Sequence, residues 1–207
     1  MKNICFILLL CVPAFLQAQT KWEKAKEKDG ILIYTRTNQN LKEFKAHMNL
    51  DARLETVVAL LTDTKHFPKW VYKVESCEVI KEQLPQSFIT YYTVAMPWPL
   101  KDRDGVTGGV VTQKADGSVV IHQTDQPDEV PEKDGYVRLG KVNTTWTVQP
   151  GEAGQVQLVY QSMADPGGLP NWLVNLFLLD GPMETLKGLR DESDNPAYAN
   201  IEVSWLK

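Results

Sequence analysis

From Glu43 to Leu50 the chain alternates strictly, with Phe44, Ala46, Met48 and Leu50 apolar and Glu43, Lys45, His47 and Asn49 polar. A period of two predicts a half-buried strand with one wet face. A shorter β-rich run over 31–35 precedes it, after the turn pair Asp29-Gly30. Asp51 follows as a candidate helix N-cap. Leu54, Val57, Val58 and Leu61 then recur at helical spacing, which predicts a first helix ending near Thr62-Asp63. Beyond the aromatic cluster His66-Phe67-Pro68-Lys69-Trp70, candidate strands cover 74–81, 88–95, 103–113, 118–124, 136–149 and 155–164. Turn residues separate them, and Asp116-Gly117 between two β-rich runs is a hairpin signal. Strands so closely spaced pair antiparallel.

The pattern changes after Asp165-Pro166-Gly167-Gly168. Pro170 suits a first helical turn, and Trp172, Leu173, Leu176, Phe177 and Leu179 form a broad apolar stripe. Asp180-Gly181-Pro182 predicts a kink or break, because Pro182 has no backbone N–H to donate. Met183, Leu186 and Leu189 continue an apolar face beyond it, whereas residues 191–207 are polar and receive no element. The prediction is an α+β fold in which a twisted antiparallel sheet buries one face of a long C-terminal helix.

The first eighteen residues have a different character. Lys2 precedes an apolar run from Ile4 to Phe15, and Leu16-Gln17-Ala18 offers a small-residue cleavage site. That is the layout of a secretory signal peptide. The run is shorter than the ~20 apolar residues a membrane span requires. Cleavage after Ala18 would leave 189 of the 207 residues as one domain over 19–207, with Cys77 the remaining cysteine. A lone thiol forms no intramolecular disulfide, so the expectation is an exported domain, periplasmic or extracellular, held by packing. Loss of Lys2 moves the formal charge from −4 to −5. A mildly acidic chain without a basic cluster argues against nucleic acid as a partner and against strong docking on anionic membrane.

Several motifs now fall in order. Trp22 precedes Asp29-Gly30-Ile31 and Tyr34-Thr35-Arg36, and the first helix is followed by Asp63 and Trp70. Trp98-Pro99-Leu100 with Arg103-Asp104, then Val137-Arg138, Trp146 with Pro150, and Asp165-Pro166-Gly167-Gly168 before Pro170-Asn171-Trp172 complete the series. In that order and spacing the chain resembles a START domain, a lipid-transfer module, from Trp22 to about Arg190, with 191–207 as a tail. The resemblance implies a helix-grip fold: a curved antiparallel β-sheet wrapped around a long C-terminal α-helix, with a hydrophobic tunnel beneath that helix for a lipid or sterol-like molecule. It implies no metal and no cofactor, a monomer, and transient membrane contact at most. It also implies gates at the C-terminal helix and at a loop between late strands, here residues 126–135.

Candidate ligand contacts follow. Trp172, Leu176, Phe177 and Met183 lie on the helix expected to roof the tunnel, although ordinary core packing produces the same stripe. Arg103 could hold a phosphate or carboxylate, or instead fix the start of its strand; alternation puts Arg103 and Thr107 on one face and Asp104 and Val106 on the other. Tyr92, His122 and Tyr160 can each offer one hydrogen bond from an apolar body, and Trp146 reads as core or wall. An enzyme is the rival reading, since folds do not dictate chemistry. Yet His47, His66 and His122 are scattered, and the chain has no nucleophile elbow, phosphate loop or dinucleotide fingerprint. A cyclase- or hydrolase-like enzyme acting in the same pocket would most simply use His122. A lipid sensor would share the pocket outright.

Overall fold

The computed structural model describes residues 21–38 and 40–207, so the expected leader over 1–18 lies outside the described residues. Ten strands form one sheet: β1 (Glu23–Lys28), β2 (Ile31–Asn38), β3 (Leu41–Leu50), β4 (Val74–Gln83), β5 (Ser87–Val94), β6 (Asp102–Gln113), β7 (Val119–Asp125), β8 (Tyr136–Arg138), β9 (Gly140–Pro150) and β10 (Val156–Asp165). Their order is β1-β2-β3-β10-β9-β7-β6-β5-β4, antiparallel throughout, with β8 parallel to β6 off that path. The helices are α1 (Leu54–Thr62), the single turn α2 (Phe67–Trp70), α3 (Asn171–Ser193) and the short α4 (Pro196–Ala199). This is the helix-grip arrangement, with α3 laid across β2 and β3 and against α1 and α2.

The alternating run of β3 buries Phe44, Ala46, Met48 and Leu50, as its period dictates. Three departures from expectation have local causes. β1 is an all-polar, exposed edge strand apart from Ala25, so it lacks the apolar alternation that marks a strand; charge on an edge also blocks pairing with other chains. The single strand expected over 136–149 is two, because Leu139 N–H donates to Asp104 O (2.8 Å) and Lys141 takes a positive φ of 51°. β8 thus pairs with the start of β6 before β9 crosses to β7 and β10. The first helix starts one residue after Arg53, which makes no side-chain cap, and not from Asp51.

Pro182 does not end α3, which runs unbroken from Asn171 to Ser193. An interior proline costs about 3 kcal/mol in a helix. Burial offsets it: Pro182 and Met183 are buried, and Leu186 and Leu189 are fully so, each such side chain contributing roughly 1.5–3 kcal/mol. Lys187 Nζ to Asp29 Oδ2 (3.1 Å) and Arg190 Nη2 to Asp29 O (3.0 Å) fasten the same end of α3 to the β1–β2 turn. The tail, unassigned from sequence, is held by distant partners. Tyr198 Oη donates to Asp63 Oδ2 (2.6 Å), Thr56 Oγ1 donates to Tyr198 O (2.9 Å), and Gln113 exchanges two hydrogen bonds with the Lys207 backbone, each 2.9 Å.

Glycines permit two kinds of close approach. On the sheet, Phe88 and Tyr92 of β5 lie across Gly109 and Gly105 of β6, their register partners; a Cβ there would stand 2.3 and 2.4 Å from the rings. On α3, a Cβ at Gly188 would stand 2.5 Å from Trp70 O, a backbone atom that cannot swing aside. Gly188→Ala therefore loses up to about 2 kcal/mol of stability in urea unfolding, since crowding of about 1–3 kcal/mol is set against the ~1 kcal/mol gained in helix propensity. Higher stability would show that α2 and α3 are free to separate.

Candidate functional site

The N-terminal half of α3 does not settle onto the sheet. Val174, Phe177, Leu178, Gly181 and Thr185, on one helical face, line an outer chamber of about 240 Å³. Its floor includes Phe44, Tyr92, Val94 and Tyr160, and its rim includes Met96, Pro166 and Leu169. A second, inner chamber of about 150 Å³ lies beneath Phe67 and Trp70 of α2, against Thr90, Thr107, Gln123 and Thr144. Tyr92 and Tyr160 line both chambers and divide them. Tyr160 is itself held between rings, stacked on Trp146 with centroids 3.7 Å apart and edge-on to Phe44 at 4.8 Å.

The polar groups of the inner chamber are neutral. Thr90 and Thr107 bond one another (3.3 Å), as do Thr144 and Ser162 (2.7 Å). Burial pushes the phenols of Tyr92 and Tyr160 well above their usual titration range. Among the described residues no charged side chain lines the inner chamber. Lys42 is the one at the outer chamber, and its ammonium donates to Asn175 Oδ1. Among the described residues no His, Cys, Asp and Glu come together as a metal site.

The structure brings together Tyr92, Trp146, Tyr160 and Phe177 of the residues singled out from sequence. It places the others elsewhere. Met183 packs wholly into the core. Trp172 and Leu176 face solvent, 64% and 38% exposed, because the face of α3 turned to the chamber runs through Val174 and Leu178 instead. Arg103 does lie on the face that Thr107 shares, but its guanidinium donates to Lys101 O, Pro166 O (3.4 Å) and Gly167 O (3.3 Å), fixing the start of β6 to the loop before α3. His122 is exposed on the outer face, 3.0 Å from Thr145 Oγ1, and lines neither chamber.

None of residues 126–135 lines either chamber. Arg138, paired with buried Asp104 through two bonds of 3.0 and 2.9 Å, donates also to Pro127 O, Val130 O and Pro131 O. Gln123, Thr144 and Ser162 were missed as lining residues. A signal existed for Gln123: β7 turns Val119, Ile121 and Gln123 inward, so alternation alone sends His122 out.

The comparisons agree with this architecture. The START domain family matches residues 14–197. An uncharacterized protein of Pseudomonas aeruginosa is 34% identical over 176 residues, 84% of this chain and 87% of that one. The phosphatidylcholine transfer protein of Rattus norvegicus is 28% identical over 177 residues, 81% of each chain. The crystal structure of a STAR-related lipid transfer protein from Xanthomonas axonopodis superposes with a TM-score of 0.77 at 33% identity, covering 83% of this chain and 98% of that one.

Cys77 lines the inner chamber, and burial pushes its thiol up to about 11 from 9.0, with the nearby Thr64 and Thr90 hydroxyls acting to lower it. A raised pKa means less thiolate at any pH below it. At pH 8 the folded protein should react with a maleimide roughly a hundredfold more slowly than the urea-unfolded chain, since only thiolate attacks. Equal rates would mean the chamber wall opens freely at Cys77.

Proposed function

The chain belongs to the START domain family, and from that premise we propose that it binds a single lipid beneath α3 and transfers it, without chemistry, outside the cytoplasm. The observation that carries this reading is the unfilled apolar space under the N-terminal half of α3, continuous in its lining with the inner chamber. Apolar surface of a lipid removed from water there gains roughly 25 cal/mol per Å². Neither chamber alone reaches the ~300–1,000 Å³ typical of small-molecule sites, so loading joins the two and displaces Tyr92 or Tyr160. Among the described residues neither phenol hydroxyl has a hydrogen-bond partner, and because Tyr160 is stacked on Trp146 and edge-on to Phe44, Tyr92 is the ring freer to turn aside.

The exposed aromatics support a brief membrane contact. Trp98 is 93% exposed and two residues from Met96 on the rim; Trp172 is two residues from Val174 on the roof. Indole rings favour the membrane interface. The leader-like start over 1–18 supports export. A non-catalytic role is supported by the raised pKa of the chamber's thiol and phenols, which leaves no ready base or nucleophile there. A sensor would differ from a carrier only in having a partner that binds the loaded form.

Native mass spectrometry of the mature protein purified without detergent tests the reading; one stoichiometric lipid is expected. Phe177→Asp, which sets a carboxylate in the roof of the outer chamber, should reduce lipid occupancy at least tenfold while circular dichroism stays unchanged. Full occupancy in the folded variant would place the ligand elsewhere, and a protein that takes up no lipid at all would refute binding.

A further inference from the structure

We infer that the ligand of this chain is a lipid whose polar end is an uncharged hydroxyl or carbonyl group, held in the inner chamber by the side-chain amide of Gln123, and that phosphate-headed lipids are excluded from that position; this rests on the lipid-binding reading above. Gln123 is 8% exposed and lines the inner chamber, and among the described residues its side chain has no hydrogen-bond partner. A primary amide has two donors and an acceptor, and leaving them all unmade in a buried site is costly. Its isolation is built into the sheet. In register it stands between Gly109 of β6, which has no side chain, and Thr144 of β9, whose hydroxyl is already bonded to Ser162.

The neighbours set the chemistry of what Gln123 meets. Tyr92 and Tyr160 add two phenols, and the remaining polar lining is hydroxyl, thiol and the indoles of Trp146 and Trp70, the Nε1–H of Trp70 having no partner among the described residues. All are neutral. A phosphate placed there would find no cation, and a buried charge without a counter-charge is strongly disfavoured. The two candidate cations are already engaged: Arg103 donates to three backbone carbonyls, and Lys42 stands at the outer chamber on Asn175. The outer chamber, walled by Phe44, Val71, Val94, Val174 and Leu178, suits an aliphatic tail. The polar end therefore points inward and the tail toward the roof of α3.

The test equilibrates the full protein with phosphatidylcholine vesicles doped with hexadecanol, hexadecyl phosphate or hexadecane, then re-isolates it and quantifies what is bound. Wild type should load hexadecanol at least tenfold better than hexadecyl phosphate and carry no phosphatidylcholine. Gln123→Leu should lose roughly tenfold in hexadecanol affinity, the worth of one hydrogen bond to a neutral group, with hexadecane uptake unchanged. Gln123→Met serves in its place if the leucine variant does not fold. Equal or better loading of the phosphate or of phosphatidylcholine overturns the inference, as does hexadecanol affinity indifferent to Gln123, and both leave lipid binding standing. Failure of wild type to load any of the probes or vesicle lipid refutes lipid binding itself.

Discussion

The contact between Gly188 of α3 and the Trp70 backbone of α2 fixes the geometry on which the cavity depends. A helix with a side chain at that position could not come so close, and without that approach Leu186 and Leu189 could not be fully buried. The ion pair and hydrogen bond to Asp29 reinforce the same end. Toward its N-terminus α3 roofs the outer chamber from Thr185 to Val174, and Gly181 and Pro182 lie within that stretch. Glycine contributes no side chain to fill it, and proline gives Leu178 O no i+4 donor, so the roof is both thin and weakly bonded along its length at that point.

Charge is distributed on the same principle. The buried charged groups are committed to structure: Asp104 to Arg138, Arg103 to the carbonyls before α3, Glu43 to Arg36 and Gln161. Breaking such a pair by removing one partner is severe, so these residues are not available to a ligand. The interior that remains is apolar under α3 and neutral-polar under α2. That division makes the space selective for polarity along its length, and it needs no catalytic group to do so.

Mobility follows from the anchoring. The C-terminal half of α3 shares the core with α1, α2 and the central strands, whereas the N-terminal half has an exposed back and an unfilled front. Regions with few buried apolar contacts open at least free-energy cost. Opening is thus expected at the end of α3 that carries Trp172, whereas Arg138 holds the 126–135 loop through three carbonyls.

Much of this fold was legible in the chain itself. The period-two run of β3, the Asp116-Gly117 hairpin and the apolar positions of α1 and α3 express local periodicity, which a sequence displays directly. The resemblance carried by Trp98-Pro99 and Arg103-Asp104 supplied the family. Tyr92, Trp146, Tyr160 and Phe177 could be named because large side chains on inward faces line whatever space exists. Other features depended on residues far apart in sequence. β1 is a strand only because β2 pairs with it, Pro182 stays helical only because its neighbours are buried, and the tail is ordered by Asp63, Thr56 and Gln113. The choice between lining and packing was likewise tertiary: Met183 and Val174 are both apolar residues of one helix, yet one packs into the core and the other lines a cavity. Periodicity determines which face a residue shares; how far that face stands from its neighbour is set by contacts that close the chain in space.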